Sequence, residues 1–353
     1  MTADIGLSIG FIGLGGVANA HLEAYKLLLG LQIKSVCDVR PDIGKKIADE
    51  WGAAFYEDYK DLLAAGDIDL VLVLTPASTH REIVEAAADA GVHALCEKPL
   101  AVTWEDGQAM VDACAQAGVK FFYGSCYRYL PAVMAAKRLI DDGVIGDVQL
   151  MTEQLIGGNG ADAYQQLSPI HYPTGGPGGP GMGLVDHGVH LIDIFSWFCS
   201  SPVAKAYGQG QISGAPAVSE YMAMHFENGA VGHLVYNAAT YGLQLPGEGM
   251  FSGGRGWLTD GSLSDTGAWE SEPGSIYVYG TKGALRVFHY TNAVFLRDAN
   301  GFREVSVEGR PAFGHFATQL EACAKAIHEN SAPPISGEDG LRALKAMLAV
   351  YES

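Results

Sequence analysis

Between Leu7 and Tyr123, short β-branched runs alternate with stretches of helical apolar spacing, and nothing else in the chain restricts its fold as strongly. Strands separated in this way by helices can lie side by side only through right-handed crossovers. The alternation therefore predicts a parallel, doubly wound α/β sheet. Residues 7–12 read as the first strand and 18–29 as the helix after it. A strand over 33–37 precedes a helix opening at Pro41, where a first-turn proline forfeits no hydrogen bond. Residues 70–74 are continuously apolar, as in a central strand buried on both faces. Helices over 79–90 and 104–117 are stopped by Gly91 and Gly118, with strands over 93–96 and 119–123.

After Tyr123 the pattern changes. A helix over 132–141 and a strand over 148–154 lead into a Gly- and Pro-rich loop, 157–183, and then a helix over 184–199. Strands are expected over 204–211, 220–226, 230–238, 275–279, 284–289 and 293–297, with a polar, Gly-rich loop over 241–273. Helices over 314–330 and 338–351 close the chain. Successive strands joined without helices predict an α+β domain on an open, mostly antiparallel sheet. A chain of 353 residues suits two domains, and the expected division is 1–125 and 126–353.

The formal charge of −18 repels nucleic acid and anionic lipid, whereas small neutral partners are indifferent to it. Six cysteines without a CxxC pair, several inside apolar runs, suit a reducing compartment. No apolar run approaches the ~20 residues of a membrane span, and the N-terminus has no basic flank before an apolar stretch. These features predict a soluble, cytoplasmic protein.

Three groups of residues carry chemistry. Gly13-Leu14-Gly15-Gly16-Val17-Ala18 stands where the first strand meets the first helix. Glycines there permit a tight turn and let backbone amides approach a pyrophosphate, which the helix N-terminus favours. Asp38 ends the second strand, 20 residues after Ala18, where a carboxylate binds ribose hydroxyls and repels a 2′-phosphate. That combination predicts a Rossmann domain and NAD rather than NADP, although Arg40 keeps NADP open.

Glu97-Lys98-Pro99 follows the strand over 93–96, at the carboxyl edge where open α/β sheets bind ligands. A lysine there can donate to a substrate hydroxyl and stabilise developing alkoxide charge, or it can be a solvated loop residue. Asp186-His187-Gly188-Val189-His190 opens a long apolar helix, and its spacing of four predicts Asp186 and His190 on one face, with Asp193 able to orient the ring. An imidazole beside a carboxylate can accept a hydroxyl proton near neutral pH. The same stretch can also be half of a metal site or a core histidine. No second group of ligands is evident in the sequence, so no metal is expected.

Taken together, the chain resembles the Gfo/Idh/MocA family, relatives of glucose–fructose oxidoreductase and inositol dehydrogenase. The matching residues are Gly13, Gly15, Ala18, Asp38, Thr75-Pro76 with His80, Glu97-Lys98-Pro99, Tyr127-Arg128, and Gly183, Asp186, Gly188, His190 and Asp193. The resemblance implies an NAD-dependent dehydrogenase that oxidises a secondary hydroxyl of a sugar, polyol or related cyclic compound. Lys98 and His190 would contact the reacting hydroxyl, with His190 the general base and Asp186 its partner or a substrate ligand. Gly13, Gly15, Gly16, Val17, Ala18, Asp38, Arg40, Thr75, Pro76, His80, Glu97 and Lys98 would hold the cofactor, and Tyr127, Arg128 and His187 would lie with the catalytic residues around the substrate. A homodimer or homotetramer through the open face of the second sheet is also implied. Two other outcomes exist among such relatives: an NAD-dependent glycosidase acting by transient oxidation and elimination, and a non-catalytic dinucleotide-binding regulator. The chain departs from the family at Ala77, where Asn often stands, and in the length of the loop before Asp186, whose Tyr164, His171 and Tyr172 either shape a substrate pocket or anchor the loop.

Overall fold

The computed structural model describes residues 4–158, 183–210, 219–241, 275–309 and 311–351. Tyr164, His171 and Tyr172, like most of both Gly-rich loops, lie outside the described residues. The chain divides into two compact units, Met1–Ser125 with Phe316–Leu344, and Cys126–His315 with Lys345–Ser353.

The first unit holds β1 (Asp4–Ile12), α1 (Gly16–Tyr25), β2 (Leu29–Cys37), α2 (Pro41–Trp51), β3 (Ala54–Tyr56), α3 (Tyr59–Ala64), β4 (Leu70–Val73), α4 (His80–Asp89), β5 (His93–Cys96), α5 (Trp104–Ala117) and β6 (Phe121–Tyr123). Its six strands run in the order β3-β2-β1-β4-β5-β6, every pair parallel. Strand order reverses between β1 and β4, which opens a crevice at the carboxyl ends of these strands. All four residues of β4 are buried, as its unbroken apolar run requires.

Several elements differ from expectation. Helix α1 stops at Tyr25, and Leu29, expected as its last residue, instead opens β2 beside Asp4. The apolar spacing misleads here because Leu27 and Leu29 are exposed rather than packed on a helical face. Strand β3 and helix α3 were not expected. Both are too short to show periodicity, and α3 is started by Asp58, whose carboxylate accepts the Lys60 amide at 2.9 Å.

The last two helices, α8 (Gly314–His328) and α9 (Gly337–Tyr351), were expected to belong wholly to the second domain, yet Phe316–Leu344 packs with the first unit. Edge strand β6 is what they cover. The Tyr123 amide donates to the Ile335 carbonyl at 3.0 Å, and Phe122 bridges to Ser336. Gly337 and Gly340 let α9 approach closely: a Cβ would come 2.2 Å from the Phe121 ring at one and 2.7 Å from the Tyr123 ring at the other.

In the second unit, β7 (Val148–Gly158), β8 (Val203–Gln209), β9 (Glu220–Phe226), β10 (Val231–Tyr241), β11 (Ser275–Gly280), β12 (Gly283–Phe288), β13 (Ala293–Asp298) and β14 (Gly301–Val305) form one sheet. Its order is β14-β13-β12-β11-β7-β10-β9-β8, antiparallel except for the β7–β10 pair. Burial alternates along β9, which leaves Tyr221 outward and Met222 and Met224 inward. The inner face lies under α6 (Pro131–Asp141), a π-helical turn (Leu184–Gly188) and α7 (Val189–Phe198). On the other face Ile156, Tyr207, Tyr221, Tyr279 and Phe302 are all exposed, and the strand register puts them on one side. Among the described residues no helix is long and apolar enough to cross a membrane.

Candidate active site

The glycine turn forms as its composition demands. Gly13 has φ +92°, a conformation closed to most side chains, and a Cβ there would lie 2.9 Å from the Leu74 carbonyl group. Its amide donates to the Cys37 carbonyl at 2.9 Å, locking the turn to the end of β2. Gly15 and Gly16 have nothing within 4 Å of where a Cβ would sit, so their backbone faces open space. Val17 is half-buried and Ala18 fully buried beneath them. No side-chain oxygen caps the first turn of α1, which leaves its amides to an outside anion such as a pyrophosphate.

Asp38 sits at the edge of this turn, 7% exposed. One carboxylate oxygen accepts the Leu14 amide at 2.8 Å, and the other accepts the Arg40 amide at 2.9 Å. The Arg40 guanidinium adds a two-pronged pair at 2.8 and 2.9 Å from the exposed side. Burial pushes the Asp38 carboxyl up, but the Arg40 and Leu14 hydrogen bonds outweigh it, and the group stays below its usual range. A cleft of about 410 Å³ begins beside it, lined in part by Leu14, Gly15, Gly16, Asn19, Arg40 and Lys46. Open glycine amides next to an ionised carboxylate are the donor and acceptor set a dinucleotide requires.

The loops after β4 and β5 hold the next group. Thr75 is half-buried and Pro76 exposed, whereas Ala77 is buried at the start of a short 3₁₀ turn. His80 is fully buried, with Nε2 2.8 Å from the Thr75 carbonyl and Nδ1 3.0 Å from the Leu100 carbonyl. Burial lowers its pKa, and a neutral ring donates to only one of these carbonyls while it packs between the two loops. Glu97 likewise faces inward. It pairs with His21 at 3.0 Å, and His21 in turn meets the Tyr25 hydroxyl at 2.9 Å. Its other oxygen accepts the Lys98 amide at 3.1 Å. Burial pushes this carboxyl up, and the hydrogen bond and field of His21 with the nearby Lys98 more than reverse the effect. His80 and Glu97, expected against a cofactor, are thus braces for the loops carrying Thr75 and Lys98. Lys98 itself is half-buried.

In the second unit the expected residues separate into two clusters. Residues 184–188 are π-helical, so Asp186 and His190 flank a π-to-α junction instead of sharing a regular α-turn. Gly183 and Gly188 bring this turn onto β10, where a Cβ would meet the Tyr236 side chain at 2.6 and 3.0 Å. Asp193 is paired with Arg128. Its carboxylate is gripped by the Arg128 guanidinium, Nε donating at 2.7 Å and Nη2 to the second oxygen, because a planar fork matches a carboxylate. Arg128 also lies over the Trp197 ring at 5.3 Å. Asp186 is half-buried.

Tyr127 and His187, expected at the substrate, are buried to 2% and 1% exposure. The Tyr127 ring is stacked on His190, centroids 3.8 Å apart and planes within 5°. His187 Nε2 donates to Glu153 at 2.7 Å, and its Nδ1 meets the Tyr290 hydroxyl at 2.7 Å. Tyr290 continues to the Tyr127 hydroxyl at 3.0 Å. The Tyr236 hydroxyl donates to the other Glu153 oxygen at 2.7 Å, and His289 Nε2 lies 3.5 Å from Glu153. Sequence reading missed Glu153, Tyr236, His289 and Tyr290. Glu153 alone left a signal, a carboxylate at a buried position between Met151 and Leu155.

The expectation that no second ligand group exists needs correction, because Glu153, His187 and His289 converge. Their geometry is that of hydrogen bonding. Two ligands of one tetrahedral metal stand about 3.3 Å apart, whereas Glu153 and His187 are at 2.7 Å.

Residues 7–125 match the family model described as "Oxidoreductase family, NAD-binding Rossmann fold", and 133–286 match "GFO/IDH/MocA C-terminal domain". The chain is similar to D-apiose dehydrogenase of Paraburkholderia graminis, 38% identical over 38% of this chain and 36% of that protein. It is similar also to inositol 2-dehydrogenase/D-chiro-inositol 3-dehydrogenase of Lactiplantibacillus plantarum, 30% identical over 56% of this chain and 53% of that one. The matched segments therefore span between a third and about half of these relatives. The fold is that of levoglucosan dehydrogenase solved with NADH, with a TM-score of 0.80, 22% identity, and 98% and 96% of the two chains covered.

Proposed function

Because the chain belongs to the Gfo/Idh/MocA family of oxidoreductases, we propose that it oxidises a secondary hydroxyl of a sugar, polyol or related cyclic compound. NAD, when bound, supplies the acceptor for the hydride leaving the carbinol carbon. His190 takes the hydroxyl proton on its imidazole, and Asp186 orients it or holds the substrate. The Lys98 ammonium donates to the substrate oxygen and stabilises its growing negative charge. The first unit carries the cofactor, and the second carries the base. Relatives named for apiose, inositol and levoglucosan support a polyhydroxylated substrate.

The observation that carries the reading is Asp38: a carboxylate kept ionised beside open glycine amides. It favours NAD, since an anion there repels a 2′-phosphate. Arg40 neutralises part of that charge from the exposed side, so NADP is the weaker alternative. We further assign assembly as a homodimer or homotetramer to the sheet face bearing Tyr207, Tyr221, Tyr279 and Phe302, since apolar patches of this kind mark interfaces. Six free cysteines, all buried, suit residence in the reducing cytoplasm.

The test is a panel of sugars and polyols with NAD and with NADP, followed through the absorbance of reduced nicotinamide. Lys98→Ala is expected to bind NAD as the wild type does and to lose turnover. Unchanged turnover in that variant would remove Lys98 from the mechanism.

A further inference from the structure

A general base must gain a proton, and burial opposes that gain. His190 is 2% exposed, where desolvation disfavours an imidazolium. Something in its surroundings has to support the charged form. The titratable groups on its own stretch of chain are Asp186, His187 and Asp193, and Asp193 is already neutralised by Arg128. From the 3₁₀ turn (Cys126–Tyr129) comes Tyr127, whose ring lies flat on the imidazole. Behind Tyr127 stand Tyr290, His187, His289 and Glu153, brought together by β7, the π-helical turn and the connection from β12 to β13.

We infer that Tyr127 is a positioning residue for His190, and that the buried Glu153–His187–Tyr290 chain fixes and polarises its ring so that the protonated imidazole is stabilised during turnover. This rests on the assignment of His190 as the base. The direction of the chain follows from its anionic end. Glu153 can only accept, so His187 Nε2–H donates to it. A Tyr290 O–H that donates to His187 Nδ1 leaves its oxygen to accept from Tyr127 O–H. Donation by Tyr127 concentrates electron density in its ring, and an electron-rich face attracts a stacked cation. Tyr236 holds the remaining Glu153 oxygen, which keeps the carboxylate turned toward His187. The proton itself travels only from the substrate oxygen to the imidazole; the chain transfers none.

The experiment is a histidine NMR titration of the cofactor-free protein, with the His190 signal assigned by its loss in His190→Gln. Tyr127→Leu is expected to lower the His190 pKa by about one unit, the size of a desolvated cation–π contact. Tyr127→Phe, which keeps the ring and cuts the chain, should lower it by less, and so should Glu153→Gln. The acid limb of the kcat/KM profile should move to lower pH by the same amount in each variant, a displacement that loss of packing alone does not produce. If Tyr127→Leu fails to fold, Tyr127→Phe and Glu153→Gln carry the test. A wild-type titration of His190 in the folded variants would overturn the inference. So would uptake of one equivalent of Zn²⁺ by the wild type and not by Glu153→Gln, since the cluster would then be a metal site. Because the titration needs no substrate, a panel in which no polyol is oxidised would refute the proposed reaction while leaving this result to stand.

Discussion

Replacing Arg128 with methionine removes one half of a buried ion pair and leaves the other in place. The Asp193 side chain is 1% exposed and that of Arg128 9%, so water cannot take over the lost hydrogen bonds. An uncompensated carboxylate in such a site costs about 3–5 kcal/mol. For a unit of this size that lowers the melting temperature by about 6–20 °C, measured by scanning calorimetry. Arg128→Lys should recover little, because an ammonium neither forks onto a carboxylate nor stacks on Trp197 as a guanidinium does. The double variant Arg128→Met/Asp193→Leu should recover at least half of the loss, since it leaves no buried charge. KM for the substrate should stay within about twofold of wild type, as the guanidinium is committed to Asp193. A large rise in KM with an unchanged melting temperature would refute this reasoning and return Arg128 to the substrate pocket.

Asp38→Ala removes the acceptor beside the glycine turn and releases Arg40, so KM for NAD should rise about 10- to 100-fold and the preference over NADP should narrow, read from initial rates with each cofactor. Acidification should destabilise the fold in two steps, followed as melting temperature against pH. His289 titrates at 6.5 when unfolded and at about 4 when folded, so the unfolded chain binds more protons in that window and stability falls as pH drops through it. Glu153 and Glu97 are held below their ordinary 4.5, so their contribution is present above that value and is lost as pH falls beneath it. His289→Gln should flatten the first step and leave the second. Tyr221→Lys with Tyr279→Lys places charges on the exposed sheet face and should shift the protein to monomers in light scattering, with secondary structure retained.

Sequence carried the first sheet almost whole, because strands such as β5 and helices such as α5 are bounded by local signals. Thr103 caps α5 by accepting the Asp106 amide at 3.1 Å, and Gly118 ends it at φ +69°. Shortness hid β3 and α3, the latter in spite of its Asp58 cap, and an exposed leucine pair hid the end of α1. The membership of Phe316–Leu344 in the first unit is a tertiary fact, set by how glycines at 337 and 340 admit β6 side chains. At the candidate site the residue types were legible and their directions were not. Tyr127, Arg128 and His187 stand in a motif, but only the fold turns the first beneath His190, the second onto Asp193 and the third onto Glu153. A π-helical turn leaves no mark in apolar spacing, so Asp186 and His190 read as one α-helical face.

The claim at the centre of this account is that His190 takes the proton from a polyol hydroxyl as NAD is reduced. Its most direct test is His190→Asn, assayed with NAD and the best substrate of the wild type while NAD affinity is measured by calorimetry. The account predicts a loss of about 10²- to 10⁴-fold in kcat with NAD affinity unchanged. Turnover at the wild-type rate in that variant would contradict it.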